Sequence, residues 1–168
     1  MFRVLGVYPG SSPQTGAEKR PVSDVVLDAS ALLALLQDEP GADVVASHLH
    51  KALMCTVNHS EVVAKLADTG MPEPAIREAL NLPLRLVEFN EALSVRAGML
   101  RPTTRTLGLS LGDRACLALA LERGAAALTA ETAWADVPDG PDLELIRTPA
   151  REKSGQPTRT RNTPKRKR

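Results

Sequence analysis

Aromatic side chains are almost missing from this sequence: one Trp, one Tyr and two Phe make up 2% of 168 residues. That scarcity argues against the rows of stacked rings on which many proteins lay out single-stranded nucleic acid. There are only two cysteines, Cys55 and Cys116, both in apolar surroundings and without metal-type spacing. They read as small core residues of a reducing compartment, not as a disulfide framework or a zinc site. No run approaches the roughly 18 apolar residues of a membrane span, and the opening MFRVLGVYPGSS lacks the long apolar stretch of an export signal. A glycine-rich phosphate loop and internal repeats are absent as well. Three histidines are too few, and too poorly placed, to build a nucleophilic triad: His48 and His50 read as surface residues, and His59 stands one step into a helix. What remains is a cytoplasmic globular protein with one sizeable core and no membrane association.

Net charge is +1, but it is unevenly spread. From Arg151 to Arg168 there are eight Lys or Arg and one Glu, a net of +7, so residues 1–150 carry −6. The tail REKSGQPTRTRNTPKRKR has no apolar periodicity and cannot bury enough surface to order itself, so residues 149–168 are expected to be a basic disordered tail. Such a tail either stays solvated or contacts phosphates in a salt-sensitive way. Residues 1–21, a mixture of Gly, Pro, Ser and Thr, are expected to be a flexible extension. The folded unit is placed at 22–148.

Within it, DVVLDAS gives a short β-branched strand ending in an acid, and ALLALLQ and GADVVASHLHKAL give helices on either side of the Pro40–Gly41 break. MCTVN predicts a brief strand, followed by the helix HSEVVAKLADTG. MPEPAIREAL predicts a helix, LRLVEFN a strand, and EALSVRAGMLRPTTRTLG a helix that Pro102 stops or kinks. SLGDRACLALALERG predicts the longest apolar helix, closed by Gly124, before the strands AAALTA and LELIR. Short strands alternating with helices imply an α/β protein with a central parallel sheet covered on both faces.

The acids carry the chemistry. Asp28 ends the first strand, where ligand sites form in open parallel sheets, although Asp28 or Ser30 is also placed to cap the next helix. Asn58 stands three residues before Glu61 as Ser110 stands three before Asp113, so NHSE and SLGD both read as capping boxes. The helix dipole favours a carboxylate at such a position in any case. Yet helical side chains lean back toward the N-terminus, so two helices starting at one sheet edge would bring Glu61 and Asp113 together. Glu131 follows the strand AAALTA at the same edge, and Asp136 lies five residues beyond. Clustered carboxylates cannot all stay ionised without a counter-charge. A hard divalent cation with oxygen ligands and retained waters supplies one, and can activate water against a phosphodiester.

The stretches VVLDASALLALLQDEPGAD, TVNHSEVVAKL, LGLSLGDRACLALA and ALTAETAW, in that order and spacing, resemble the PIN-domain nucleases, and among them the VapC-type toxins of toxin–antitoxin pairs. The likeness runs from about Val25 to Arg147. It implies a three-layer α/β/α sandwich, Mg²⁺ or Mn²⁺ held by acids, and RNA cleavage leaving 5′-phosphate and 3′-hydroxyl ends. It also implies a cognate VapB-like antitoxin, with a homodimer or a toxin–antitoxin hetero-oligomer. By position the catalytic acids fall on Asp28, Glu61, Asp113 and Glu131, the first three as metal ligands. Ser30, Asn58 and Thr129 match polar residues that orient them. The fourth acid is commonly Asp, so Glu131 departs from the pattern by one methylene, with Asp136 as its helper or alternative. Because an acidic site repels phosphates, substrate contact falls to basic residues, Arg114 first among Arg101, Arg105, Arg147 and the tail. The competing readings are a non-catalytic PIN-like scaffold and a phosphoacceptor domain using Asp28 as nucleophile.

Overall fold

The computed structural model describes residues 24–147. The extension expected at 1–21 and the basic tail expected at 149–168 lie outside the described residues. Five strands, β1 (Val25–Leu27), β2 (Ala52–Cys55), β3 (Arg85–Val87), β4 (Ala126–Thr129) and β5 (Leu143–Leu145), form one sheet in the order β3-β2-β1-β4-β5. Every neighbouring pair is parallel, with Val26 opposite Leu53 and Leu27 opposite Leu128 across the centre. The chain runs from β1 outward to β2 and β3, then returns to lay β4 and β5 on the other side. The reversal therefore lies between β1 and β4, the crevice where open α/β sheets place their ligands.

Helices cover both faces. One core joins Val26, Leu53, Cys55 and Ala127 to α5 (Glu91–Met99) and α7 (Leu111–Arg123), with Trp134 of the 3-10 turn Thr132–Asp136 packed into it. The other joins Val25, Leu27, Met54 and Leu128 to α1 (Ala29–Leu36), α2 (Ala42–His48), α3 (Thr56–Asp68) and α4 (Glu73–Ala79). Strands β1 and β2 are buried along their whole length, which is why they read as unbroken apolar runs and not as alternation. The α/β/α layering expected from the sequence is present. No helix among the described residues is long and apolar enough to cross a membrane.

Most boundaries follow local chemistry. α5 ends at Met99 and the short α6 (Arg101–Thr104) starts around Pro102, as that residue's missing N–H requires. α7 is capped by Ser110 and Asp113 at one end and by Gly124, at φ 54°, at the other. Two boundaries differ from expectation: Ala52 and Leu53, read as the end of the helix GADVVASHLHKAL, instead open β2, where they pair with Val25 and Val26. MCTVN is not a strand through Asn58: β2 stops at Cys55 and α3 begins at Thr56 with no loop between. Cys55 is the N-cap and makes no side-chain cap, so Asn58 is the third residue of the helix and caps nothing. The pairing of Asn58 with Glu61 as a second capping box is corrected accordingly. The Asn58 side chain is free for a different task.

Candidate functional site

Asp28 leaves β1 at its carboxyl end and is 3% exposed. Its Oδ2 accepts from the Ser30 N–H at 3.2 Å, the Ser30 hydroxyl at 2.7 Å and the Thr129 hydroxyl at 3.2 Å. Ser30 and Thr129 also touch each other, at 3.3 Å. Their hydroxyls accept in turn from the N–H groups of Ala130 and Glu131, both at 3.0 Å, which locks the end of β4 to the start of α1. Ser30 and Thr129 thus each donate their one hydroxyl hydrogen to the same Asp28 oxygen and accept from the main chain beyond β4.

Asn58, fully buried, links the other elements to these hydrogen bonds. Its Nδ2 lies 3.2 Å from Asp28 Oδ1, 3.1 Å from the Gly112 carbonyl and 3.4 Å from Glu61 Oε2. Three acceptors around one nitrogen fix which way the amide points. Its Oδ1, turned away, is buried and has no partner among the described residues. One neutral side chain therefore joins β1, α3 and α7 while adding no charge.

Glu61, one turn along α3, is set against the start of α7 because residue 112 is glycine. A Cβ there would fall on the Glu61 carboxylate. Asp113 is held by its capping box: the Ser110 N–H donates to its Oδ2 at 2.6 Å, and its own N–H donates to the Ser110 hydroxyl at 3.1 Å. The local capping function and proximity to the site coexist at this residue.

The electrostatics report the crowding. Burial pushes the Asp28 carboxyl above its ordinary value against the pull of the Ser30 bonds, and the Asp113 charge adds to the rise. Burial likewise raises Glu61, helped by the charges of Asp28 and Asp113 and opposed by Asn58 and by Lys65 one turn further on. No Lys or Arg pairs with any of these three acids among the described residues. Glu131 and Asp136 stand differently. Both are exposed, and neither side chain makes a hydrogen bond or ion pair among the described residues; Glu131 reaches the Asp28 hydrogen bonds only through its main-chain N–H on Thr129. Arg114 points its guanidinium at the Ser110 and Ala97 carbonyls.

Among the described residues, no three His, Cys, Asp or Glu side chains are gathered closely enough to close directly on one ion. The set consists of hard oxygen donors, Asp28 and Glu61 among them with raised affinity for protons, and none is in an ion pair among the described residues. It fits a divalent cation that keeps part of its water shell, with some carboxylates reaching it through water. Gly112 escaped the sequence reading, although one signal was present: glycine in the first turn of a helix otherwise made of good helix formers is locally unfavourable by about 1 kcal/mol.

Comparison with known proteins bears on this arrangement. No curated protein matches the sequence. Among solved structures, a chain of a toxin–antitoxin complex from Klebsiella pneumoniae superposes with a TM-score of 0.59 at 18% identity, covering 73% of this chain and 98% of that one. A chain of DNA-bound VapBC from Salmonella typhimurium gives 0.61 at 14%, covering 75% and 100%. A chain of VapBC2 from Rickettsia felis, bound to a promoter DNA fragment, gives 0.59 at 15%, covering 72% and 97%. At such identities the likeness is one of fold. The family model of the PIN domain matches residues 25–140, well over half of the sequence and the whole span from Asp28 to Asp136. The chain belongs to the PIN domain family.

Proposed function

We propose that the protein is a divalent-metal-dependent endoribonuclease, the VapC-type toxin of a toxin–antitoxin pair, acting in the cytoplasm. The observation that carries this reading is that Asn58 bonds Asp28, Glu61 and the Gly112 carbonyl beside Asp113, so acids from β1, α3 and α7 lie near one another with no Lys or Arg in ion-pair contact among the described residues. Asp28, Glu61 and Asp113 would hold Mg²⁺ or Mn²⁺, in part through water. Such an ion supplies a polarised phosphodiester and a water acidic enough to attack it. The chain's own contribution is orientation. Ser30, Thr129 and Asn58 fix the Asp28 carboxylate, and outer partners of this kind set the direction and basicity of a metal-holding oxygen. Glu131, exposed at the mouth, completes the site or orients the attacking water, with Asp136 as its alternative.

The folds of the VapBC chains support an antitoxin as partner. A cleft of about 760 Å³ between α3 and α4, with Val63, Ala67, Met71, Ile76 and Leu80 on its apolar side and His59, Glu73, Arg77, Glu78 and Asn81 on its polar side, offers an amphipathic antitoxin segment a seat for both of its faces.

Incubating total RNA with the protein and Mg²⁺ or Mn²⁺, and mapping the new ends, tests the activity. Discrete cuts carrying 5′-phosphates, lost in EDTA, are expected. A second reading, a non-catalytic scaffold, is favoured by the lack of three directly converging ligands among the described residues. Intact RNA at every metal concentration would select it.

A further inference from the structure

The segment entering α7 is gripped at two successive carbonyls. Arg101, at the start of α6, donates from Nη1 to the Leu109 carbonyl at 3.4 Å. Arg114, in α7, donates from Nε to the Ser110 carbonyl at 3.1 Å and from Nη1 to the Ala97 carbonyl at 3.4 Å. Ala97 lies in the last turn of α5, where carbonyls lack helical partners, so the same guanidinium also caps α5. Neither arginine pairs with a carboxylate among the described residues.

The Leu109 carbonyl and the Ser110 N–H are the two ends of one planar peptide group. Arg101 holds its oxygen, and its N–H donates to Asp113 Oδ2 at 2.6 Å. A single peptide thus stands between a guanidinium and a carboxylate, with its dipole aligned to both. Hydrogen bonds in series polarise and strengthen one another. The next carbonyl, of Ser110, accepts both from the Arg114 main-chain N–H at 3.3 Å and from its Nε at 3.1 Å, so the guanidinium reinforces the first helical bond of α7.

We propose that Arg101 and Arg114 are positioning residues. They grip the Leu109–Ser110 peptide and, through its N–H, fix the position of the Asp113 carboxylate. Arg114 is thereby committed to the backbone and not to a substrate phosphate. The inference rests on the reading of Asp113 as a metal-holding group.

The test uses the full chain, with Arg114→Lys and Arg101→Lys, which keep the charge but lose the directed fork, and the corresponding Met variants. Thermal unfolding establishes that each variant folds, with the Lys pair as reserve should a Met variant fail. Amide hydrogen exchange at Ser110 in the metal-free protein, Mn²⁺ affinity by calorimetry and affinity for an uncleavable 2′-O-methyl oligoribonucleotide are then measured. Faster exchange at Ser110 is expected, with Mn²⁺ affinity weakened about tenfold or more and RNA affinity of the Lys variants unchanged. In an Asp113→Asn background, Arg114→Lys should weaken Mn²⁺ binding no further, because the two changes act through one group. Unchanged Ser110 exchange, or lost RNA affinity with Mn²⁺ affinity intact, overturns the proposal. Should the wild type neither bind Mn²⁺ nor cut RNA, the nuclease reading fails on its own account. Ser110 exchange then decides the grip alone: acceleration upholds it and no change overturns it.

Discussion

At the scale of single residues, the site depends on what Gly112 lacks as much as on what its neighbours carry. Its carbonyl accepts from Asn58 at 3.1 Å, and its missing side chain leaves the space that the Glu61 carboxylate fills. Gly112→Ala should therefore separate activity from stability. Alanine favours a helix by up to about 1 kcal/mol over glycine, while the new methyl displaces the end of a flexible side chain, a cheap adjustment. The expected outcome is a melting temperature unchanged or slightly raised, with cleavage reduced at least tenfold, about what a misplaced ligand costs. Cleavage equal to wild type would show that Glu61 does not need its present position. Asp113→Asn makes the complementary cut. It removes the charge but keeps an oxygen able to accept the Ser110 N–H, so α7 should keep its cap and the RNA should stay whole. Thermal denaturation and end mapping on one preparation check both halves.

At the scale of elements, helix ends decide what is legible in a sequence. α7 could be bounded at both ends because each signal is local: Ser110 with Asp113 at the start, Gly124 in the left-handed region at the close. Gly124→Ala forces a Cβ into that region at about 1 kcal/mol. It should lower the melting temperature while leaving cleavage intact, since Asp113 lies about 16 Å up the helix; a fall in cleavage without a fall in stability would contradict this. The start of α3 could not be read in the same way. Thr56, Val57 and Asn58 are poor helix formers, stiff at Cβ or prone to bond their own backbone. They are helical because tertiary contacts reward it: Thr56 Oγ1 accepts from the Phe89 N–H, and Asn58 bonds Asp28, Glu61 and Gly112. For the same reason the acids were legible as types at strand ends and helix starts, whereas for Asn58 the local signal suggested a cap and only the resemblance placed it beside the acids, where it bonds Asp28 and Glu61. The role of Gly112 was invisible without coordinates, because it is defined by a side chain 51 positions earlier.

At the scale of the whole molecule, charge and protons act together. Asp28 and Glu61 both titrate above their ordinary values of 3.8 and 4.5, so the folded protein binds these protons more tightly than the unfolded chain does. Their contribution to stability is complete at pH below those ordinary values and is lost as pH climbs through the raised ones. The metal-free protein should therefore lose stability as pH rises above the ordinary Asp28 value of 3.8, relative to Asp28→Asn, whose residue 28 cannot ionise. Because a cation binds the ionised form, Mn²⁺ should raise the melting temperature more at pH 7.5 than at pH 5. Melting curves across that range, with and without Mn²⁺, decide the matter, and a pH-independent Mn²⁺ effect would refute it. The tail from Arg151 carries +7 against −6 for residues 1–150, so its removal should weaken RNA binding and flatten the salt dependence. An unchanged salt slope would leave the tail without a part in binding. Finally, the sheet order sets β1 beside β4, so Asp28 and its partner Thr129 are separated by 101 positions. Proteins are synthesised from the N-terminus, so a growing chain carries Asp28 for 101 positions before Thr129, the partner that helps fix its carboxylate, exists. If the nuclease proposal holds, fragments ending before Ala126 lack that partner and are expected to leave RNA uncut, which an assay of chains truncated at residue 125 checks.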